Sequence, residues 1–199
     1  MACYTAVGSR EAPLKALRQA SLVAYILFCL GYTVRSGAAP GMDSSFEMGV
    51  TDQPVWHHEA LDIYLPWPGF EGRPNHSPYC VAHTLPNYHA AEAIASEVHP
   101  VWERLTQGPR KLHTRNVYQV LGRRLIDPSE FLVCWARVTS SGNIAGGTAT
   151  AVTLARQFRI TVFNLYLDED VDRLEIWLNY LISTIPNSLP DDIVDLKAI

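Results

Sequence analysis

Charged residues are few in this chain of 199 residues, and basic residues are not in excess. Charged side chains make up 18% of the sequence, and its 16 Lys and Arg against 20 Asp and Glu give a formal net charge of −4. A protein whose main role is to coat nucleic acid needs a basic surface to neutralise phosphates, so the composition argues against that class. The apolar fraction of 48% excludes a disordered chain and leaves a folded globular one.

Paired cysteines, zinc-ligand spacings and long apolar runs are also missing. The four cysteines, Cys3, Cys29, Cys80 and Cys134, form no CxxC pair, which indicates a reducing compartment without a disulfide framework. None of the seven histidines lies in an HExxH or Cys/His zinc spacing, so no metal site is predicted. The most apolar run, residues 22–30, has about half the roughly 20 residues of a membrane span. Since no signal-peptide pattern is seen either, we expect a cytoplasmic protein that is not bound to a membrane.

Strand-like and helix-like segments alternate along the chain. Apolar and β-branched runs predict strands at 4–7, 32–34, 61–65, 131–135 and 160–165. Helical spacing or helix-start signals predict helices at 14–30, from 43, and at 88–105, 111–121, 148–158 and 171–182. The pattern is typical of an α/β, Rossmann-like fold, with a mostly parallel sheet and helices on both faces. We expect one domain over residues 1–185, with a helical and loop insertion at 70–128, an irregular loop at 70–86 and a peripheral tail at 186–199.

Three strand-to-helix turns share features of anion-binding loops. They are Gly8-Ser9-Arg10, Ser36-Gly37 with Gly41 and Asp43, and Gly146-Gly147-Thr148. Glycine lets backbone approach a ligand closely, and the first N–H groups of the following helix lack internal partners. The hydroxyl groups and the arginine add further donors. Because ligands of parallel sheets bind at the carboxyl ends of the strands, the three turns together predict a phosphate pocket.

Other polar and aromatic residues allow two interpretations each. Glu47 is either a general acid/base or the capping-box partner of Ser44, and Asp43 either contacts a ribose or holds its own loop. Arg115 and Asn116 belong to a basic cluster that either binds a phosphate or forms a solvated helix face. Two tryptophans near strand ends, Trp67 and Trp135, either stack on a base or pack in the core.

The turn sequences resemble those of the DNA-processing protein A family, which belongs to a wider Rossmann-like superfamily that includes the LOG proteins. The resemblance is carried by residues 5–10 (TAVGSR), 36–43 (SGAAPGMD) and 146–151 (GGTATA), and it extends over about residues 4–166. The stretch 115–122 (RNVYQVLG) is similar to phage-encoded proteins described as DNA-recombination-mediator-like. LOG proteins cleave nucleoside 5′-monophosphates with a catalytic glutamate. In this sequence the position of that glutamate is occupied by Ala151.

The resemblance implies a nucleotide or nucleotide-derived ligand at the three turns, with no required cofactor. Three roles stay open: ligand binding by a phage protein that acts on host nucleotide metabolism or signalling, recombination mediation on single-stranded DNA, and N-glycosidic hydrolysis of nucleoside phosphates. In the hydrolytic role, Glu47 or Asp43 would be the catalytic carboxylate. The superfamily also implies a homo-oligomer, with a homodimer as the default, and a phage protein would act in the host cytoplasm.

Overall fold

The computed structural model describes residues 2–140, 142–144, 146–184 and 195–198. Within these residues, six parallel strands form one sheet in the order β4-β3-β2-β1-β5-β6. The strands are β1 (Cys3–Gly8), β2 (Thr33–Ser36), β3 (Leu61–Leu65), β4 (Tyr79–Val81), β5 (Phe131–Trp135) and β6 (Thr161–Asn164). The prediction of a Rossmann-like α/β fold with a parallel sheet is confirmed.

Six helices cover the two faces of this sheet in the described part of the chain. They are α1 (Leu14–Cys29), α2 (Met42–Thr51), α3 (Tyr88–Val98), α4 (Gln107–Leu121), α5 (Thr148–Gln157) and α6 (Asp168–Thr184). Apolar residues of α1, α2 and α6 form one core cluster, and those of α3, α4 and α5 form the other. Strand β5 contributes to both, because Val133 and Trp135 lie in the first cluster and Leu132 and Cys134 in the second. None of the described helices is long and apolar enough to cross a membrane.

Three local predictions for the middle of the chain are wrong. The predicted loop at 70–86 contains β4, a three-residue edge strand next to β3, which is too short to give a periodic signal. The predicted helix 88–105 ends at Val98, before Pro100. The predicted helix 111–121 begins earlier, at Gln107, so that Gly108 and Pro109 lie in the first turn of α4, where proline is tolerated because those N–H groups have no intrahelical acceptor.

The strand order reverses between β1 and β5. The chain runs outward from β1 to β4 on one side, and then returns to place β5 on the other side of β1. Connections that leave neighbouring strands in opposite directions open a crevice at their carboxyl ends, and ligands of open α/β sheets bind there. The turns after β1 and β5 are therefore the first places to search for a site.

Candidate functional site

The turn after β1 is held by backbone contacts that require glycine. The Gly8 N–H donates to Asp43 Oδ1 at 3.1 Å, and a Cβ at Gly8 would lie 2.6 Å from the Met42 side chain. Ser9 N–H donates to the Trp135 carbonyl at 3.0 Å, which ties the turn to β5. Its hydroxyl oxygen accepts the Glu11 N–H at 3.0 Å. The next residue, Arg10, has an exposed side chain and no hydrogen-bond or ion-pair partner among the described residues.

The start of α2 packs directly on this turn. Gly41 has a φ of +85°, and a Cβ there would lie 2.8 Å from the Ser9 carbonyl oxygen and from Arg10 Cα. This close approach brings Asp43, in the first turn of α2, within hydrogen-bond distance of the Gly8 N–H. Asp43 is 2% exposed, and its Oδ2 lies 3.8 Å from Nη1 of Arg115.

Arg115 is a buried cation whose guanidinium is only partly satisfied by the protein. Its Nη1 donates to the Gly37 carbonyl at 2.5 Å, while Nε and Nη2 have no acceptor among the described residues. Gly37 permits this approach, because a Cβ at that position would overlap the guanidinium. A buried arginine with free N–H groups carries a large desolvation penalty, so an additional anion would stabilise it.

The turn before α5 forms the facing wall. Gly146 has a φ of +75°, Gly147 precedes the first residue of α5, and Asn116 Nδ2 donates to the Gly147 carbonyl at 3.0 Å. A Cβ built at either glycine would meet no atom within 4 Å. The backbone here therefore borders open space at the positive end of the α5 dipole, where anions bind favourably.

These elements enclose one cavity of about 450 Å³. This volume lies in the range of small-molecule sites, roughly 300–1,000 Å³. The lining residues are Val7, Gly8, Ser9, Arg10, Glu11, Ala39, Asp43, Pro109, Leu112, His113, Arg115, Asn116, Gly146, Gly147 and Thr148.

Burial dominates the electrostatics of the ionisable groups in this cavity. It raises the pKa of Asp43 to about 6, against the opposing effects of Arg115 and of the Ala39 and Gly8 N–H groups. Burial also lowers the pKa of the Arg115 guanidinium, although Asp43 acts in the other direction. The pKa of His113 is lowered to about 4 by burial and by the neighbouring His99 and Arg115, so its imidazole is neutral near pH 7.

Nine of the twelve predicted ligand-binding residues line this one cavity. They are Gly8, Ser9, Arg10, Asp43, Arg115, Asn116, Gly146, Gly147 and Thr148. The other three, Ser36, Gly37 and Gly41, are not part of the lining. Ser36 is fully buried and its hydroxyl donates to the Ala6 carbonyl at 2.7 Å, so it joins β2 to β1. Gly37 and Gly41 have no side chain, and this lets the Arg115 guanidinium approach Gly37 and the backbone of residues 9–10 approach Gly41.

The capping-box interpretation of Glu47 is wrong, and Glu47 is not among the residues that line the cavity. α2 begins at Met42, so Ser44 lies inside the helix and its hydroxyl donates to the Ala39 carbonyl. Glu47 accepts a short 2.5 Å hydrogen bond from the Tyr79 hydroxyl, and Arg73 Nη2 lies 3.1 Å from its other oxygen. Burial raises the pKa of the Glu47 carboxyl. These contacts join α2 to β4 and to the loop before it.

The two tryptophans do not line this cavity either. Trp67 packs edge-on against Phe70, with ring centroids 5.1 Å apart. Trp135 packs edge-on against Tyr166 at 5.5 Å and lines a second cavity, of about 340 Å³. Alternation along β5 places the Trp135 side chain on the face covered by α1 and α6. The base-stacking interpretation at the phosphate turns is therefore not supported by their positions.

One wall of the cavity is formed by α4, and only Asn116 of this wall was predicted from the sequence. Pro109, Leu112, His113 and Asn116 follow a spacing of i, i+3, i+4 and i+7, which places them on one helix face. The available signal was the polar stretch 113–116, which is buried in the structure although its composition is typical of an exposed helix face. Val7, Glu11 and Ala39 also line the cavity and were not predicted.

Comparisons with known proteins add no relative to this description. The chain matches no protein-family model, and neither the curated proteins nor the solved structures include a significant match. Among the described residues, no three His, Cys, Asp or Glu side chains come together in a group that could hold a metal ion. The function must therefore be inferred from the cavity itself.

Proposed function

We propose that this protein binds a nucleotide or nucleotide-derived small molecule, with its phosphate between the turn after β1 and the start of α5. The observation that carries the proposal is the convergence of anion-binding groups on one cavity at the strand-order reversal. Arg10 is unpaired, Arg115 has free N–H groups, and the start of α5 is open at Gly147. A phosphate would accept hydrogen bonds from the fork of an arginine and from helix N-terminal amides together.

The charges favour a ligand with a small number of phosphates. Four charged side chains line the cavity, the cations Arg10 and Arg115 and the acids Glu11 and Asp43. The two cations and two acids cancel in formal charge, so the attraction for a phosphate comes from the unsatisfied N–H groups of the arginines and from the α5 dipole, with no excess cation to hold a highly charged ligand. The cavity volume of about 450 Å³ leaves room for a group larger than phosphate alone.

Mass spectrometry of small molecules released from the denatured protein tests this proposal. We expect a phosphorylated nucleotide-type compound from the unmodified protein and a large reduction from Arg10→Gln. A compound without phosphate, or a nucleotide retained equally by Arg10→Gln and Gly147→Ala, would remove the assignment of the phosphate to these turns.

A second candidate function, cleavage of an N-glycosidic bond, is favoured by the position of one carboxyl. Asp43 lines the cavity with a pKa raised to about 6, which suits a group that exchanges protons near neutral pH. Base release from nucleoside 5′-monophosphates would then be lost in Asp43→Asn and retained in Glu47→Gln. If no base is released at high protein concentration, ligand binding without turnover is the function.

A further inference from the structure

The α4 wall of the cavity differs in character from the phosphate-binding turns. Its members are Pro109, Leu112, His113 and Asn116, none of which carries a charge near neutral pH. Three of the four charged lining residues, Arg10, Glu11 and Asp43, lie in the turn after β1 and at the start of α2. The fourth, Arg115, also belongs to α4, but its guanidinium is held at the Gly37 carbonyl and near Asp43, on the side of the phosphate-binding turns. A ligand that spans the cavity would therefore meet charge on one side and an apolar, neutral surface on the other.

His113 is held so that one ring nitrogen remains for a ligand. Its Nδ1 shares a 2.8 Å hydrogen bond with the Thr150 hydroxyl of α5, which fixes the ring. Nε2 has no hydrogen-bond partner among the described residues. His99 lies against the ring, with centroids 4.3 Å apart, and its own Nδ1 accepts the Val101 N–H. The group is thus a neutral, oriented donor or acceptor in the cavity wall.

We propose that the α4 wall binds the uncharged ring of the ligand, a nucleobase, with Leu112 against its face and His113 Nε2 hydrogen-bonded to its edge. This inference depends on the proposed function, because it assigns the second half of the same ligand. An oriented imidazole beside a leucine matches a flat heterocycle whose edge carries nitrogen and oxygen atoms. The wall would then take the base-stacking role that was one of the two interpretations of Trp67 and Trp135.

Calorimetric titration with two kinds of probe separates this subsite from the phosphate site. The probes are the four ribonucleoside 5′-monophosphates and ribose 5-phosphate, which keeps the sugar and the phosphate and lacks the base. We expect at least one nucleotide to bind about tenfold more tightly than ribose 5-phosphate, because the base buries apolar surface against Leu112 and gains a hydrogen bond to His113. Leu112→Ala and His113→Asn should reduce this preference to about threefold or less, with the affinity for ribose 5-phosphate unchanged.

Leu105→Ala provides the matched control. Leu105 is half-buried like Leu112, packs against the second core cluster and is not part of the cavity lining, so its truncation should leave the preference unchanged. Leu112 is also only half-buried, so Leu112→Ala keeps the test valid if His113→Asn fails to fold. Equal binding of nucleotides and ribose 5-phosphate would overturn the α4 subsite while the phosphate site stands. The same conclusion would follow from a preference that persists in both variants. If neither probe binds, the proposed function fails as well.

Discussion

Two buried carboxyl groups, one helical turn apart on α2, look equivalent in the sequence and differ in the structure. Asp43 and Glu47 are each 2% exposed, and each faces an arginine. Asp43 lines the cavity, and its partner Arg115 keeps free N–H groups there. Glu47 lies outside the lining, closed off by Tyr79 and Arg73. Burial beside a cation is thus a common structural arrangement, and a binding site also needs a cation that the protein leaves partly unsatisfied.

The largest expected effect on nucleotide affinity is that of removing Arg115, and removal of Arg73 is the comparison. Arg115→Met should lower nucleotide affinity by about 100-fold and destabilise the fold by roughly 3–5 kcal/mol, because it leaves Asp43 buried without its cation. Arg73→Met should destabilise the protein and leave nucleotide affinity within about threefold, in keeping with its position outside the cavity. Calorimetric titration and chemical denaturation measure the two quantities.

Arg115→Lys refines this comparison if Arg115→Met does not fold. It keeps the charge and loses the planar fork, so affinity should still fall by about tenfold. Equal losses of affinity in Arg115→Lys and Arg73→Lys would contradict the distinction between the two arginines.

Asp43 should also make the stability of the protein depend on pH, an effect that is lost when Asp43→Asn replaces the carboxyl by an amide. Its folded pKa of about 6 lies above the ordinary value near 3.9, so the folded state binds more protons between these pH values. The stability of the unmodified protein relative to Asp43→Asn should therefore rise by about 2–3 kcal/mol as the pH falls from 7 to 4. Urea denaturation at several pH values measures this difference, and a difference that is constant with pH would show that Asp43 keeps an ordinary pKa.

The variant Glu47→Gln is the control for the pH dependence of Asp43. Its pKa is also raised by burial, so stability relative to Glu47→Gln should rise on acidification in the same direction. Only Asp43→Asn should change the pH profile of nucleotide affinity, because only Asp43 lines the cavity. A changed binding profile in Glu47→Gln would place Glu47 in the site after all.

Arg10 and Arg104 form a pair of exposed arginines that differ in position alone. Arg10 lines the cavity, whereas Arg104 does not, and neither side chain has a hydrogen-bond or ion-pair partner among the described residues. Arg10→Gln should lower nucleotide affinity by about tenfold or more, the effect of losing a charge-assisted hydrogen bond, with little change in stability. Arg104→Gln should change neither quantity, and a similar loss of affinity in both variants would indicate a general electrostatic effect.

The smallest expected effect is that of a single methyl group at Gly147. Neither Gly147 nor Gly108 has a positive φ, and a Cβ would meet open space at both, so alanine fits the fold at each. Gly147→Ala should lower nucleotide affinity by about fivefold, because the methyl group lies where a phosphate approaches the backbone. Gly108→Ala, outside the cavity, is the control. Unchanged affinity in Gly147→Ala would move the phosphate away from the α5 turn.

The sequence could predict the sheet and the two glycine turns of the cavity because both depend on local signals. Apolar runs identified five of the six strands, and the two glycines adjoin regular elements, since Gly8 ends β1 and Gly147 directly precedes α5. The direction in which a side chain points, and the helix that covers it, depend on tertiary packing. That is why the sequence left open whether Trp135, at the end of a correctly predicted strand, stacks on a base or packs in the core, whereas the structure places it in the core cluster with α1 and α6. It is also why the burial of His113 in the cavity wall was not predicted.

The different environments of Asp43 and Glu47 could not be predicted from the sequence either. They depend on β4, an edge strand that is too short to give a periodic signal in the sequence. Tyr79 of that strand closes off Glu47. The resemblance to DNA-processing protein A, the role on single-stranded DNA and the homodimer stay predictions.

The most direct test of the central claim is calorimetric titration of the unmodified protein and Arg10→Gln with the four ribonucleoside 5′-monophosphates. We expect saturable binding of at least one nucleotide with a Kd below about 1 mM, and at least a tenfold weaker Kd in the variant. No saturable binding by any of them, or the same affinity in both proteins, would contradict a nucleotide phosphate held between the β1 turn and α5.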